Sequence, residues 1–161
     1  MSRQSDEESW ATYADLRNAA LKRSASYLQL PPEQYAHGKV FGALMEYMLS
    51  GYNVTLFCLS TGDASLYTSG GFLVIGGIAH NSVRLAARSF VDLCDSLQNE
   101  MSPVDAFPGP RQGWLRFYAL TCTGVLMSEA GQASLKVGHS FTPMWSAGHR
   151  VISELRKVSN R

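Results

Sequence analysis

The sequence is poor in cysteine, in long apolar runs and in the spacings that mark catalytic or metal sites. Its three cysteines, Cys58, Cys94 and Cys122, are odd in number and far apart, which fits neither a disulfide framework nor a closed zinc site. The longest strongly apolar run, Gly70 to Ala79, contains four glycines and is about half the length that spans a bilayer. No membrane segment is expected. The first eight residues, Met1 to Glu8, are polar and acidic and lack the apolar centre of a secretory leader, so the expected compartment is the cytoplasm. His37, His80, His139 and His149 stand apart from one another and from Cys or carboxylates at ligand spacing, so neither a metal nor a cofactor is expected. There is no Gly-x-Ser-x-Gly elbow, dinucleotide fingerprint or P-loop.

What is present is the composition of a globular protein, with 45% hydrophobic and 17% charged residues over 161 positions. A chain of this length buries roughly two-thirds of the surface it would expose unfolded, and residues 1–161 are expected to form a single domain. The net charge of +1 hides an uneven distribution. Lys136, Arg150, Arg156, Lys157 and Arg161 make the last 26 residues basic. Cations at the end of a helix complement its dipole, and a nucleic-acid partner is not expected from so small an excess.

Ser5 and Glu8 have the spacing of a capping box, and the pattern after them predicts a helix from Asp6 to Leu28, stopped by Pro31 and Pro32. Lys39 to Leu49 suits either helix or strand. A strand is preferred, because the Ser50–Asn53 turn leads directly into Val54–Leu59, whose continuous apolar character marks a central strand. Thr61 to Asp63 turns the chain back into Ala64–Thr68, and Phe72–Ile75 either extends that strand or forms its own. Asn81 or Ser82 is expected to cap a helix to Leu97 with Val83, Ala86, Ala87, Phe90 and Cys94 on one stripe. Arg84, Arg88 and Asp92 are expected to form a solvated face with local ion pairs. Residues 101 to 113 hold three prolines and two glycines and read as a loop. Trp114–Thr121 and Val125–Ser128 make a hairpin around Thr123-Gly124, which puts Arg116 among apolar neighbours and Cys122 at an exposed tip. Residues 129 to 141 read as a connection, and Thr142-Pro143 opens a last helix buried through Met144, Gly148, Val151, Ile152 and Leu155.

The elements predict an α+β fold: an antiparallel sheet of about five strands with flanking helices. The order from Val54 to Leu97, followed by the Trp114–Ser128 hairpin and a terminal helix, resembles that of roadblock and profilin-like domains. The glycine-rich segment ahead of a helix also resembles one in uncharacterised bacterial proteins. The first resemblance implies pairing of copies by sheet extension or helix packing, and a platform role such as some roadblock-like proteins have for small GTPases.

Three functional readings remain open. The first is a non-enzymatic interaction or scaffold module that self-associates or binds a protein partner, supported by many aromatics, among them Trp10, Tyr27, Tyr52, Trp114 and Trp145. The second is a sensor of a small molecule or phosphate, bound by Gly76, Gly77, Asn81, Ser82 and Arg84, since glycines bring amides close to an anion and a helix start favours negative charge. The same glycines equally serve turns and the close packing of strand on helix. The third is an enzyme assembled from distant residues such as His80, Cys122 and His149.

Overall fold

A computed structural model describes residues 3–160, so Met1, Ser2 and Arg161 of the basic end lie outside the described residues. The chain runs through α1 (Arg3–Leu21), β1 (Gly42–Leu49), β2 (Tyr52–Leu59), β3 (Ala64–Thr68), β4 (Leu73–Val74), α2 (Asn81–Leu97), β5 (Ser102–Val104), β6 (Trp114–Thr121), β7 (Gly124–Gly131) and α3 (Thr142–Ser159). All strands pair antiparallel in one sheet of order β4-β3-β2-β1-β6-β7-β5. The α+β class therefore holds, but the sheet has seven strands rather than about five. The five longer strands are those the sequence predicts. The other two are the edges: β4, two residues long, forms its own strand within Phe72–Ile75, one of the two alternatives left open for that stretch, and β5, with three residues, is too short to show a period of its own. β5 lies inside the segment read as loop, and its Pro103 has no N–H to offer a neighbour.

Lys39–Leu49 forms a strand over Gly42–Leu49, joined to β2 at Ser50 and Gly51. Both turn residues have positive φ, 52° and 81°, the pattern of the hairpin turn that matches strand twist. β2 is buried from Asn53 to Leu59, covered on both faces. On one face Met45, Leu56, Leu66, Phe117, Phe90, Val151 and Leu155 pack the sheet against α2 and α3. On the other, Leu44, Phe57, Tyr67, Tyr118 and Leu120 meet Tyr13, Ala20 and Leu21 of α1. Alternation along each strand thus feeds two cores.

Helix ends differ from expectation. Among the described residues α1 is already helical at Arg3, which puts Ser5 and Glu8 within the helix instead of at a cap, and it stops at Leu21, seven residues early. Beyond it the Ser24 hydroxyl accepts the Tyr27 amide at 3.2 Å, and the Leu30 amide bonds the Ala25 carbonyl at 3.2 Å. Serine side chains compete with the helical ladder, and the resulting turns bury Ala25 and Leu30. α2 is capped by His80, with extended φ/ψ and no side-chain bond, so Asn81 and Ser82 are its first turn and not its cap. Phe141 precedes α3, while the Thr142 hydroxyl reaches the Lys136 carbonyl at 2.8 Å. β7 continues to Gly131, three residues into the expected connection. No helix among the described residues is long and apolar enough to cross a membrane.

Candidate functional site

The sheet positions one row of polar side chains at a single level across four strands. Glu46 of β1 lies opposite Thr55 of β2 and Arg116 of β6, and Arg116 lies opposite Glu129 of β7. All face α1, since Glu46 alternates with Met45 and shares its side with Leu44. From α1, Arg17 lies one turn after Tyr13 on the buried stripe and closes the row from above. Its guanidinium grips Glu46 with both sides of the fork, Nε to Oε1 at 2.7 Å and Nη2 to Oε2 at 3.1 Å. Glu46 is 0% exposed and Arg17 7%. Thr55 donates to Glu46 at 3.4 Å and bonds the Tyr13 hydroxyl at 2.8 Å.

Burial raises the Glu46 carboxyl above its ordinary range while Arg17 and Arg116 oppose the shift. Burial, then the Glu46 charge, push Tyr13 up to about 12, so it stays a neutral hydrogen-bonding phenol. Arg116 completes the row through an ion pair with Glu129. Glu129 is itself exposed, so only the Arg17–Glu46 pair is buried on both sides; there either partner alone is a costly buried charge.

Phe107, Pro108 and Gly109 lie over this row. Arg17 donates to the carbonyls of Phe107 at 3.2 Å and Pro108 at 3.0 Å. Arg116 donates to those of Pro108 and Gly109, and the Tyr118 hydroxyl donates to Pro108 at 3.0 Å. Alternation along β6 puts Arg116 among apolar neighbours, whereas apolar periodicity alone does not reveal Arg17, a charged residue on the buried stripe of α1. A charged residue on that stripe was the available signal.

The glycine-rich segment is arranged differently. Gly76 adopts a left-handed φ of 79°, and Gly77 sits so tightly that a Cβ there would lie 2.7 Å from Val83, 2.9 Å from Leu155 and 3.0 Å from the Ala64 carbonyl. The Asp63 carboxylate accepts the amides of Ala64 at 2.9 Å and Ile78 at 3.2 Å. Arg84 folds back to the Ile78 carbonyl at 2.7 Å and the Asn81 side chain at 3.2 Å. Arg84 thus joins the Asn81 side chain to the Ile78 carbonyl, next in sequence to Gly77, while Ser82 lies in the first turn of α2. The loop already carries its own carboxylate on one amide. Arg88 bonds the Thr61 carbonyl at 3.1 Å, so both arginines of α2 brace loops and the expected ion pairs with Asp92 are not the contacts they make.

The third set is not brought together. Cys122 lines a hollow with Lys22 and Arg23 at the end of α1, whereas His149 packs against Tyr47 and Trp145 on the opposite face. His80 caps α2. No group of three or more His, Cys, Asp or Glu among the described residues has the geometry to hold a metal ion. Comparison with protein-family models, curated proteins and solved structures found no match.

One feature of the surface remains, the β4 edge. Phe72, Leu73, Ile75 and Ile78 are all exposed within seven residues, and Leu49 and Tyr52 at the β1–β2 turn are exposed as well. Tyr52 lies against Gly70, where a Cβ would come within 2.9 Å of its ring, which joins the two groups. Phe72 lines two grooves: one of about 270 Å³ shared with Ser9, Thr12 and Tyr13, and one of about 220 Å³ shared with Tyr47, Leu49 and Ile152.

Proposed function

We propose that this chain is a non-enzymatic interaction module that self-associates through the β4 edge. The carrying observation is that edge: a strand with unpaired backbone groups, flanked by the exposed side chains of Phe72, Leu73, Ile75 and Ile78. Open edges of this kind pair with further strands, and aromatic and aliphatic side chains supply the centre of protein interfaces. The grooves on either side of Phe72 offer seats for side chains from a second copy. Likeness of element order to roadblock and profilin-like domains belongs to the same reading, as does a cytoplasmic setting. Light scattering coupled to gel filtration tests it. The wild type is expected to run as a dimer, and Leu73→Lys with Phe72→Lys to run as a folded monomer whose melting temperature no longer rises with protein concentration. A wild type that stays monomeric at the highest soluble concentration would overturn self-association.

A further inference from the structure

The smaller of the two grooves beside Phe72 carries one charge and nothing to balance it. Tyr47 of β1, Val54 of β2, Leu66 of β3 and Ile152 of α3 line it and are buried, while Phe72 stands exposed at its side. That side is braced: the Thr68 hydroxyl accepts the Phe72 amide at 3.0 Å and donates to its carbonyl at 3.1 Å. Arg156 lies at the same groove and is the one charged residue among the described residues that line it.

Arg156 and Lys157 both sit in the last turn of α3, where cations complement the helix dipole. Lys157 bonds Glu154 at 2.9 Å, whereas Arg156 has no ion-pair partner among the described residues. Its charge acts instead on the Tyr47 hydroxyl, and burial outweighs that effect and keeps the phenol a neutral donor. A guanidinium and a phenol O–H beside one apolar groove are donors suited to a carboxylate. A second copy of the chain brings no such group at its β4 edge, because residues 68–78 contain neither Asp nor Glu. Its side chains would fill the groove and leave Arg156 unpaired. The volume is about 220 Å³, below the roughly 300–1,000 Å³ of sites for drug-sized molecules, so the apolar part of the ligand is short.

We propose that this groove binds a small carboxylic acid with a short apolar tail, the tail between Ile152 and Phe72 and the carboxylate on Arg156 and Tyr47. A few polar groups at the rim of an apolar hollow fix a ligand's orientation in this way. The site is complete within one copy and therefore goes beyond pairing at β4.

The test uses the full chain with carbon-13-labelled methyl groups and octanoate as probe, kept below its micellar concentration. Saturable shifts are expected at the Leu66 and Ile152 methyls, with octanoate bound about fivefold more tightly than octanol, the most that an ion pair to an exposed guanidinium supplies. Arg156→Gln is expected to abolish that preference, and Arg156→Glu to turn it toward octylamine. Arg150→Gln, on the same helix but lining a different hollow, is expected to keep it. Leu73→Lys charges the β4 edge outside this groove and is expected to bind octanoate at least as tightly as the wild type. Light scattering reads pairing and the methyl shifts read the ligand, so either reading can fail alone. No saturable shift at these methyls, octanol bound as tightly as octanoate, or a preference that survives Arg156→Gln overturns the proposal. Should the Arg156 variants fail to fold, salt decides: the preference of the wild type for octanoate over octanol is expected to fall as ionic strength rises, and a preference indifferent to salt overturns it.

Discussion

His149 shows how a single side chain ties stability to pH. Its ring stands edge-on to Trp145, centroids 3.9 Å apart, with Tyr47 at 5.6 Å, and its Nε2 is buried without a hydrogen-bond partner. Burial lowers its pKa below the ordinary histidine value. The unfolded chain therefore binds a proton at a higher pH than the folded one. Stability from this residue is complete above the unfolded value of about 6.5 and is lost as pH falls through the lowered folded value. Urea unfolding at neutral and mildly acidic pH checks the sign: wild type is expected to lose more stability on acidification than His149→Gln, and equal losses would contradict it. The cysteines make a second test at this scale. Cys58 and Cys94 are buried, with burial pushing both thiols up, and Cys122 is exposed. A disulfide reagent is expected to titrate one thiol in the native protein and three after denaturation.

Gly77 acts where a residue joins its elements. A methyl group there would press on Val83 of α2, Leu155 of α3 and the backbone of β3 at once, and overpacking of that kind costs about 1–3 kcal/mol. Gly77→Ala is expected to lower the midpoint of chemical unfolding accordingly.

The elements themselves are coupled by the buried pair of α1 and β1. Arg17→Met leaves the Glu46 carboxyl buried and without its fork, which costs about 3–5 kcal/mol. Glu46→Leu in addition removes the stranded polar group, and the double variant is expected to regain most of that loss. A double-mutant cycle by chemical denaturation measures it; a double variant as unstable as Arg17→Met alone would show that packing, not charge, sets the cost.

This pair also marks how far the elements were legible. The presence and type of α2, β6 and the β1–β2 hairpin follow from local patterns, in the apolar stripe from Val83 to Cys94 and the alternation from Trp114 to Thr121. Glu46 is one charge in a stretch that suits helix or strand, and its meaning depends on register with Arg116, 70 positions away on a strand that is not its hairpin partner. Pairing of β1 with β6 is a nonlocal choice that no window of sequence displays. The aromatics divide in the same way: Tyr13, Phe41, Tyr47 and Phe141 are buried, while Trp10, Tyr27, Tyr52 and Trp114 remain exposed, a partition that only the packing of α1 and the edges decides.

For the molecule as a whole, the two ends of the sheet are unlike. β4 presents exposed apolar side chains, whereas β5 carries Pro103 in the outermost strand at the other end. A filament of stacked sheets needs each copy to offer two compatible edges, one to give and one to receive. This chain offers one. Two copies meeting β4 to β4 consume both open edges and leave outward only strands whose proline interrupts the donor row. Assembly by this route is thus a closed, two-fold event that stops at a pair. Pro103→Val is the change that would remove the stop, and turbidity on concentration is the measurement that would reveal it.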